Sequence, residues 1–129
     1  MRAGGVISLA VVGAQHPNAD GSDRRFELAL CSPGEPVDLR PEPRNKVDAR
    51  AVAIFSCRGQ QIGYLTAERC GHIGAIIGAG REWRAAYQAR ADFGAWIRIA
   101  FDGAEPVLPP QNGKAAAGAA NETDDWWPA

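Results

Sequence analysis

Asp48 stands in a run of dense charge, with Arg44, Lys46 and Arg50 around it and Pro43 and Asn45 just before. Such a run of basic residues is usually a solvated face, though it could also guide phosphates without reading a base. Pro43 fixes its own backbone angle, and Asn45 and Asp48 can fold their side chains onto nearby backbone amides, so EPRNKVDARAV (residues 42–52) should hold a defined shape. Two readings follow from the residues alone. In the first, Asp48 only caps amides ahead of the apolar stretch AVAIF. In the second, a shaped loop at the start of a buried strand grips a ligand. Asn45 reads as structural in either case.

Other residues with chemical potential are scattered. His16 follows the first strand next to Pro17 and could be a solvent-exposed corner residue or an aromatic platform. Trp83, Tyr87 and Trp96 read instead as core or edge aromatics. Cys70 and His72 flank Gly71, but C-x-H on a short helix is not a zinc spacing, and Cys31 and Cys57 fall in predicted strands that need not converge. A nuclease needs several carboxylates around a divalent ion, and a hydrolase needs a nucleophile beside a base. Neither arrangement is visible, and no GxxxxGK[ST] segment is present. The residues therefore describe a binding module, not an enzyme, with no metal or cofactor.

The chain that must position these groups has 129 residues, enough for one core. Its 14 basic and 15 acidic residues nearly balance. Residues 121–129 contribute Glu122, Asp124 and Asp125 with no basic residue, so the remainder carries a small positive excess, nearly all arginine. The apolar run in MRAGGVISLAVVGAQ is too short and too β-branched for a membrane span and has no convincing cleavage site, so it reads as a strand. Three widely spaced cysteines predict free, mostly buried thiols in a reducing cytoplasm.

Short apolar segments separated by turn residues predict a mainly β domain: VISLAVVGAQ, RFELALC, PVDLRP, AVAIFSC, QIGYLT, WRAAYQARA and AWIRIAFD. In RFELALC, Phe26, Leu28 and Leu30 alternate with Glu27 and Ala29, the pattern of a half-buried strand. AVAIFSCRGQQIGYLT reads as a hairpin turning near residues 58–60, with Gly63 allowing a close approach or a bend. One segment departs from this period. TAERCGHIGAIIGAG predicts a short helix with Thr66 as N-cap, Glu68 in the first turn, and a stop at Gly78 and Gly80. Gly71 and Gly74 weaken it by roughly 1 kcal/mol each, so its glycine face should pack against the sheet. Residues 106–129 read as a flexible tail ending in DDWWPA, where Trp126 and Trp127 could enter a partner's groove.

The quoted segments VVGAQH (11–16), LRPEPRNKVDARAVAIF (39–55), GQQIGYLTAERCGHIGAII (59–77) and IRIAF (97–101) together resemble the HIRAN domain of DNA-repair helicases. The resemblance spans most of residues 5–103, and the chain looks like the family's stand-alone bacterial members. It implies an OB-like or SH3-like β-barrel of about six strands with one or two short helices, occupying residues 1–105. It also implies a grip on single-stranded DNA or DNA 3′ ends in repair or replication. Asp48 matches the family's acidic residue at the 3′-hydroxyl, and Phe101 matches an aromatic at the base of that pocket. Tyr64 takes the place of a histidine or another polar aromatic. Gln15 and His16 stand where DNA-binding members carry a basic residue and a tyrosine, and Val47 replaces a second tyrosine. The lysine near the helix start becomes Thr66 or Ala67, with Arg69 in the same turn. Arg44, Asn45 and Lys46 complete the expected surface. The alternative function is a protein-interaction adaptor working through the barrel surface or the tail, without nucleic acid.

Overall fold

Alternating apolar side chains build one sheet around a continuous core. The computed structural model describes residues 5–110. The elements run β1 (Val6–Val12), α1 (Arg24–Leu30), β2 (Asp38–Pro41), β3 (Val52–Phe55), β4 (Gln61–Leu65), α2 (Ala67–Gly78), β5 (Trp83–Ala91) and β6 (Gly94–Phe101). The six strands pair antiparallel in the order β2-β3-β4-β1-β6-β5. That order leaves β2 and β5 at the two ends of the sheet. Residues 34–37, which lead into β2, then hydrogen-bond to β5. Gly34 N–H donates to Tyr87 O at 2.8 Å, Tyr87 N–H to Glu35 O at 2.7 Å, and Val37 N–H to Ala85 O at 3.1 Å. These bonds draw the ends together and curl the sheet into a half-barrel, mainly β with two helices, as the sequence predicted.

The core is lined by Ile7, Leu9 and Val11 of β1, Val52 and Ile54 of β3, and Ile97, Ile99 and Phe101 of β6. Leu28 enters it from α1, and Cys70 and Ile73 enter from α2. Helix α2 lies where the sequence places it, and its glycines serve close packing. Gly71 faces the Arg50 side chain and Gly74 faces Val52, each at 3.5 Å from an added Cβ. Thr66 holds the N-cap position, but its side chain makes no capping bond.

The segment RFELALC is a helix, not the expected strand. Asp23 caps it, its Oδ1 accepting from Arg25 N–H at 2.8 Å and Phe26 N–H at 3.4 Å. The inward positions are Arg24, Glu27 and Leu28, a helical spacing, while Phe26 and Leu30 are exposed. Two of those inward side chains are charged, which hid the period. Glu27 is held by Ser56 Oγ–H and Arg58 Nε–H, both donating to its Oε2 at 2.6 Å.

The cysteines also differ from expectation. Cys70 is buried and Cys31 half-buried, but Cys57 is exposed in the β3–β4 turn. Cys31 and Cys57 converge on the Arg58 guanidinium, at 3.5 and 3.7 Å. Burial pushes the Cys31 thiol up to about 11, so it stays protonated near neutrality. Among the described residues, no helix is long and apolar enough to cross a membrane. At the far end, Glu105 pairs with Arg84 at 2.6 Å, and the Val107 carbonyl accepts from Arg98 Nε at 3.1 Å. The DDWWPA segment, with Trp126 and Trp127, lies outside the described residues.

Gly63 makes the sharpest demand on β4. Its φ is +155°, and a Cβ there would overlap the Val12 carbonyl oxygen on the paired strand. Gly63→Ala is predicted to lower stability by more than about 2 kcal/mol. Gly74→Ala meets only ordinary contact and should change it by less than about 1 kcal/mol. Urea denaturation of both variants measures the contrast, and equal effects would contradict it.

Candidate functional site

The loop joining β2 to β3 is built on side chains in place of a strand ladder. Asn45 Oδ1 accepts from Val47 N–H at 2.9 Å and Asp48 N–H at 3.0 Å. Its Nδ2–H donates to Glu42 Oε1 at 2.9 Å, and its own amide donates to Glu42 O at 2.9 Å. The base is closed by Glu42 N–H to Ala51 O at 2.8 Å and Ala51 N–H to Asp48 O at 3.0 Å. The loop thus holds its shape through Asn45, with Asp48 at its far side.

Asp48 divides its two oxygens between roles. Oδ1 accepts from Arg50 N–H at 2.8 Å and from Arg50 Nε–H at 3.3 Å. Oδ2 has no hydrogen-bond donor among the described residues. Hydrogen bonds from the Arg50 amide, and then from its guanidinium, hold the Asp48 carboxyl below the ordinary aspartate value.

A cleft of about 410 Å³ opens beside this loop. Asn45, Val47, Asp48 and Ala51 form one wall. Gly13 and His16, beyond the end of β1, face it, and Tyr64 and Leu65 of β4 with Ala67 and Cys70 of α2 supply the floor. Tyr64 is fixed at both ends. Its hydroxyl donates to Glu42 Oε1 at 2.9 Å, the same oxygen that holds Asn45, and the Arg24 guanidinium lies 5.4 Å from its ring centroid.

Arg24 also lines this cleft, and the sequence reading missed it. It is 7% exposed and comes from α1, the element misread as a strand. Its Nε–H donates to Asn18 Oδ1 at 2.7 Å and its Nη1–H to Gly13 O at 2.9 Å. The available signal was Asp23 preceding Arg24, an N-cap that turns residues 24, 27 and 28 to one side.

The structure therefore brings His16, Asn45, Val47, Asp48 and Tyr64 of the predicted residues to one cleft. Val47 is 96% exposed at its rim. Arg44 and Lys46 are exposed on the same loop, and Arg44 lines a shallower depression with Glu42 and Pro43. Gln15 points to a different pocket, shared with Arg25, Arg90 and Phe93. Arg69 sits on α2 between Ala67 and Cys70 without lining the cleft.

Phe101 is not at the site. It ends β6 beside Gly5, whereas the cleft lies past the opposite end of β1, where Val11 pairs with Ala95. It is 1% exposed, in the core, and Arg81 covers its ring at 4.7 Å. Among the described residues no group of three or more His, Cys, Asp or Glu side chains is placed to hold a metal ion.

Comparison with known proteins bears on this geometry. The family model described as the HIRAN domain matches residues 5–91. No curated protein matches the chain by sequence. Among solved structures, the crystal structure of the HIRAN domain of human HLTF is similar with a TM-score of 0.62 and 21% identity, covering 92% of this chain and 88% of that one. A Lactobacillus plantarum protein is similar with a TM-score of 0.64 and 14% identity, over 76% of this chain and 96% of that one. The NMR structure of the HLTF HIRAN domain in its DNA-bound conformation gives a TM-score of 0.52 and 19% identity, covering 95% and 87%. The shared fold is the HIRAN OB-like barrel.

The pull of Arg50 on Asp48 has a definite sign. With the folded pKa lowered, the Asp48–Arg50 bonds support the loop above the unfolded aspartate value of about 3.9 and are lost as pH falls through the lower folded value. An NMR titration of the Asp48 carboxyl carbon is predicted to show its midpoint below about 3.9. A midpoint at or above that value would contradict this account. Asn45→Ala, which strips acceptors from two amides, should cost about 1–3 kcal/mol in urea unfolding.

Proposed function

The chain belongs to the HIRAN family, and from that premise we propose that it is a nucleic-acid-binding module whose cleft takes the 3′ end of single-stranded DNA. One observation carries the reading: Asp48 is rigidly held at the wall of the cleft with one carboxylate oxygen uncommitted. A terminal hydroxyl can donate to that oxygen. A terminal phosphate cannot donate when ionised and is repelled.

The similar HLTF domain is known in a DNA-bound conformation, and this supports DNA as the ligand class here. Tyr64 on the floor and His16 facing the loop line the cleft, and either ring could stack a terminal base, at about 1–3 kcal/mol for a base on a ring. Arg44 and Lys46 on the loop add electrostatic attraction that follows the backbone and carries no sequence preference. The module binds and does not catalyse. The pathway we assign to it is DNA repair or replication in the cytoplasm of a bacterium.

The test is fluorescence anisotropy of the full chain against a short oligonucleotide ending in a free 3′-hydroxyl or in a 3′-phosphate. The hydroxyl form is expected to bind about tenfold or more tightly. Asp48→Asn keeps an oxygen for the Arg50 amide but removes the charge, and it should erase most of that preference while thermal unfolding stays near wild type. Both ligands should weaken with salt. Equal binding of the two ends by the wild-type protein, or no binding at all, would refute the reading.

A further inference from the structure

Arg24 is the only arginine or lysine lining the cleft among the described residues, and it is buried without a counter-ion. Other arginines of the barrel meet carboxylates: Arg58 reaches Glu27 at 2.6 Å, and Arg81 reaches Asp102 at 2.9 Å. Arg24 has only neutral acceptors, the Asn18 side-chain oxygen and the Gly13 carbonyl. Those two bonds use Nε and Nη1 and leave Nη2 with no acceptor among the described residues.

Burying an unpaired charge is strongly unfavourable, and a purely structural role would be served by a neutral donor or a paired one. The guanidinium is also aimed by its surroundings. Asn18 and Gly13 fix two of its edges, and the ring of Tyr64 lies against it at 5.4 Å. Preorganised this way, its remaining donors suit a planar or tetrahedral oxyanion. The anion cannot be a terminal phosphate at Asp48, because that carboxylate would repel it.

We propose that Arg24 binds the phosphodiester joining the last two nucleotides of a strand whose terminal hydroxyl is held at Asp48. This deepens the reading of the cleft given above and rests on it. The two charged walls then have separate tasks: Asp48 selects a free chain end, and Arg24 holds the backbone one linkage behind it. No other arginine or lysine among the described residues lines the cleft to provide this contact.

The experiment uses the full chain, isotopically labelled for NMR, and three probes: the dinucleotide dTpdT with a free 3′-hydroxyl, its uncharged methylphosphonate analogue, and inorganic phosphate. The wild-type protein should bind dTpdT about tenfold more tightly than the methylphosphonate, with the Arg24 Nε–Hε signal moving only for the charged ligand. Arg24→Lys should keep part of that preference and Arg24→Gln should abolish it. Because the wild-type comparison needs no variant, a misfolded substitution does not block the test. If both dinucleotides bind equally while hydroxyl selection at Asp48 persists, this proposal is overturned and the end-binding reading stands. If neither dinucleotide binds, even where inorganic phosphate moves the Arg24 signal, this proposal and the end-binding reading are both overturned. If neither the dinucleotides nor phosphate moves the Arg24 signal, the proposal is overturned.

Discussion

Residues 42–51 have few strand partners for their amides, and the Asn45 side chain stands in for those partners. One amide oxygen collects Val47 and Asp48 N–H, and the amide nitrogen ties the loop to Glu42. Glu42 Oε1 in turn receives the Tyr64 hydroxyl. A single carboxylate oxygen therefore couples the loop to the floor of the cleft, so the position of Asp48 and the tilt of the Tyr64 ring are set together. Such coupling among partly buried polar groups fixes a geometry more firmly than separate contacts do.

The opposite wall depends on a second polar anchor. Helix α1 is only seven residues long and leaves Phe26 and Leu30 in solvent, so apolar burial alone holds it weakly. Glu27, bonded to Ser56 and Arg58 of the β3–β4 turn, pins it to the barrel. Arg24 precedes Glu27 by three residues on the same inward side, so pinning Glu27 also places Arg24 against Gly13 and Tyr64. The curled sheet completes the arrangement, because the end of β1 and the start of β3 must meet for the two walls to share one cleft.

Much of this was legible in the residues. The five segments that became β1, β3, β4, β5 and β6 announce themselves by apolar runs between turn residues, and PVDLRP contains β2. Thr66, Glu68 and the isoleucines mark α2. The loop could be read because proline, asparagine and aspartate have few ways to order a backbone. RFELALC failed because the helix containing it turns the charged Glu27 inward, together with Arg24 just before the segment, so hydrophobic periodicity reported the exposed Phe26 and Leu30 instead. Arg24 was lost with it, since a residue on a misassigned element cannot be placed against Gly13 or Asn18. Phe101 was placed by resemblance, whereas its location depends on the register of β6 against β1, which puts it a strand's length from the cleft. The meeting of Cys31 and Cys57 at Arg58 is a tertiary event with no local signature.

The central claim is that the cleft bounded by Asp48, Tyr64, His16 and Arg24 is where a strand end sits. Amide chemical-shift mapping of the full chain, titrated with a short single-stranded oligonucleotide bearing a free 3′-hydroxyl, tests it most directly. The account predicts shifts concentrated at residues 13–16, 45–51 and 64–70, with Trp83 and Phe101 at the far end of the sheet unmoved. Shifts centred on Arg25, Arg90 and Phe93, with the Asn45 loop silent, would contradict it.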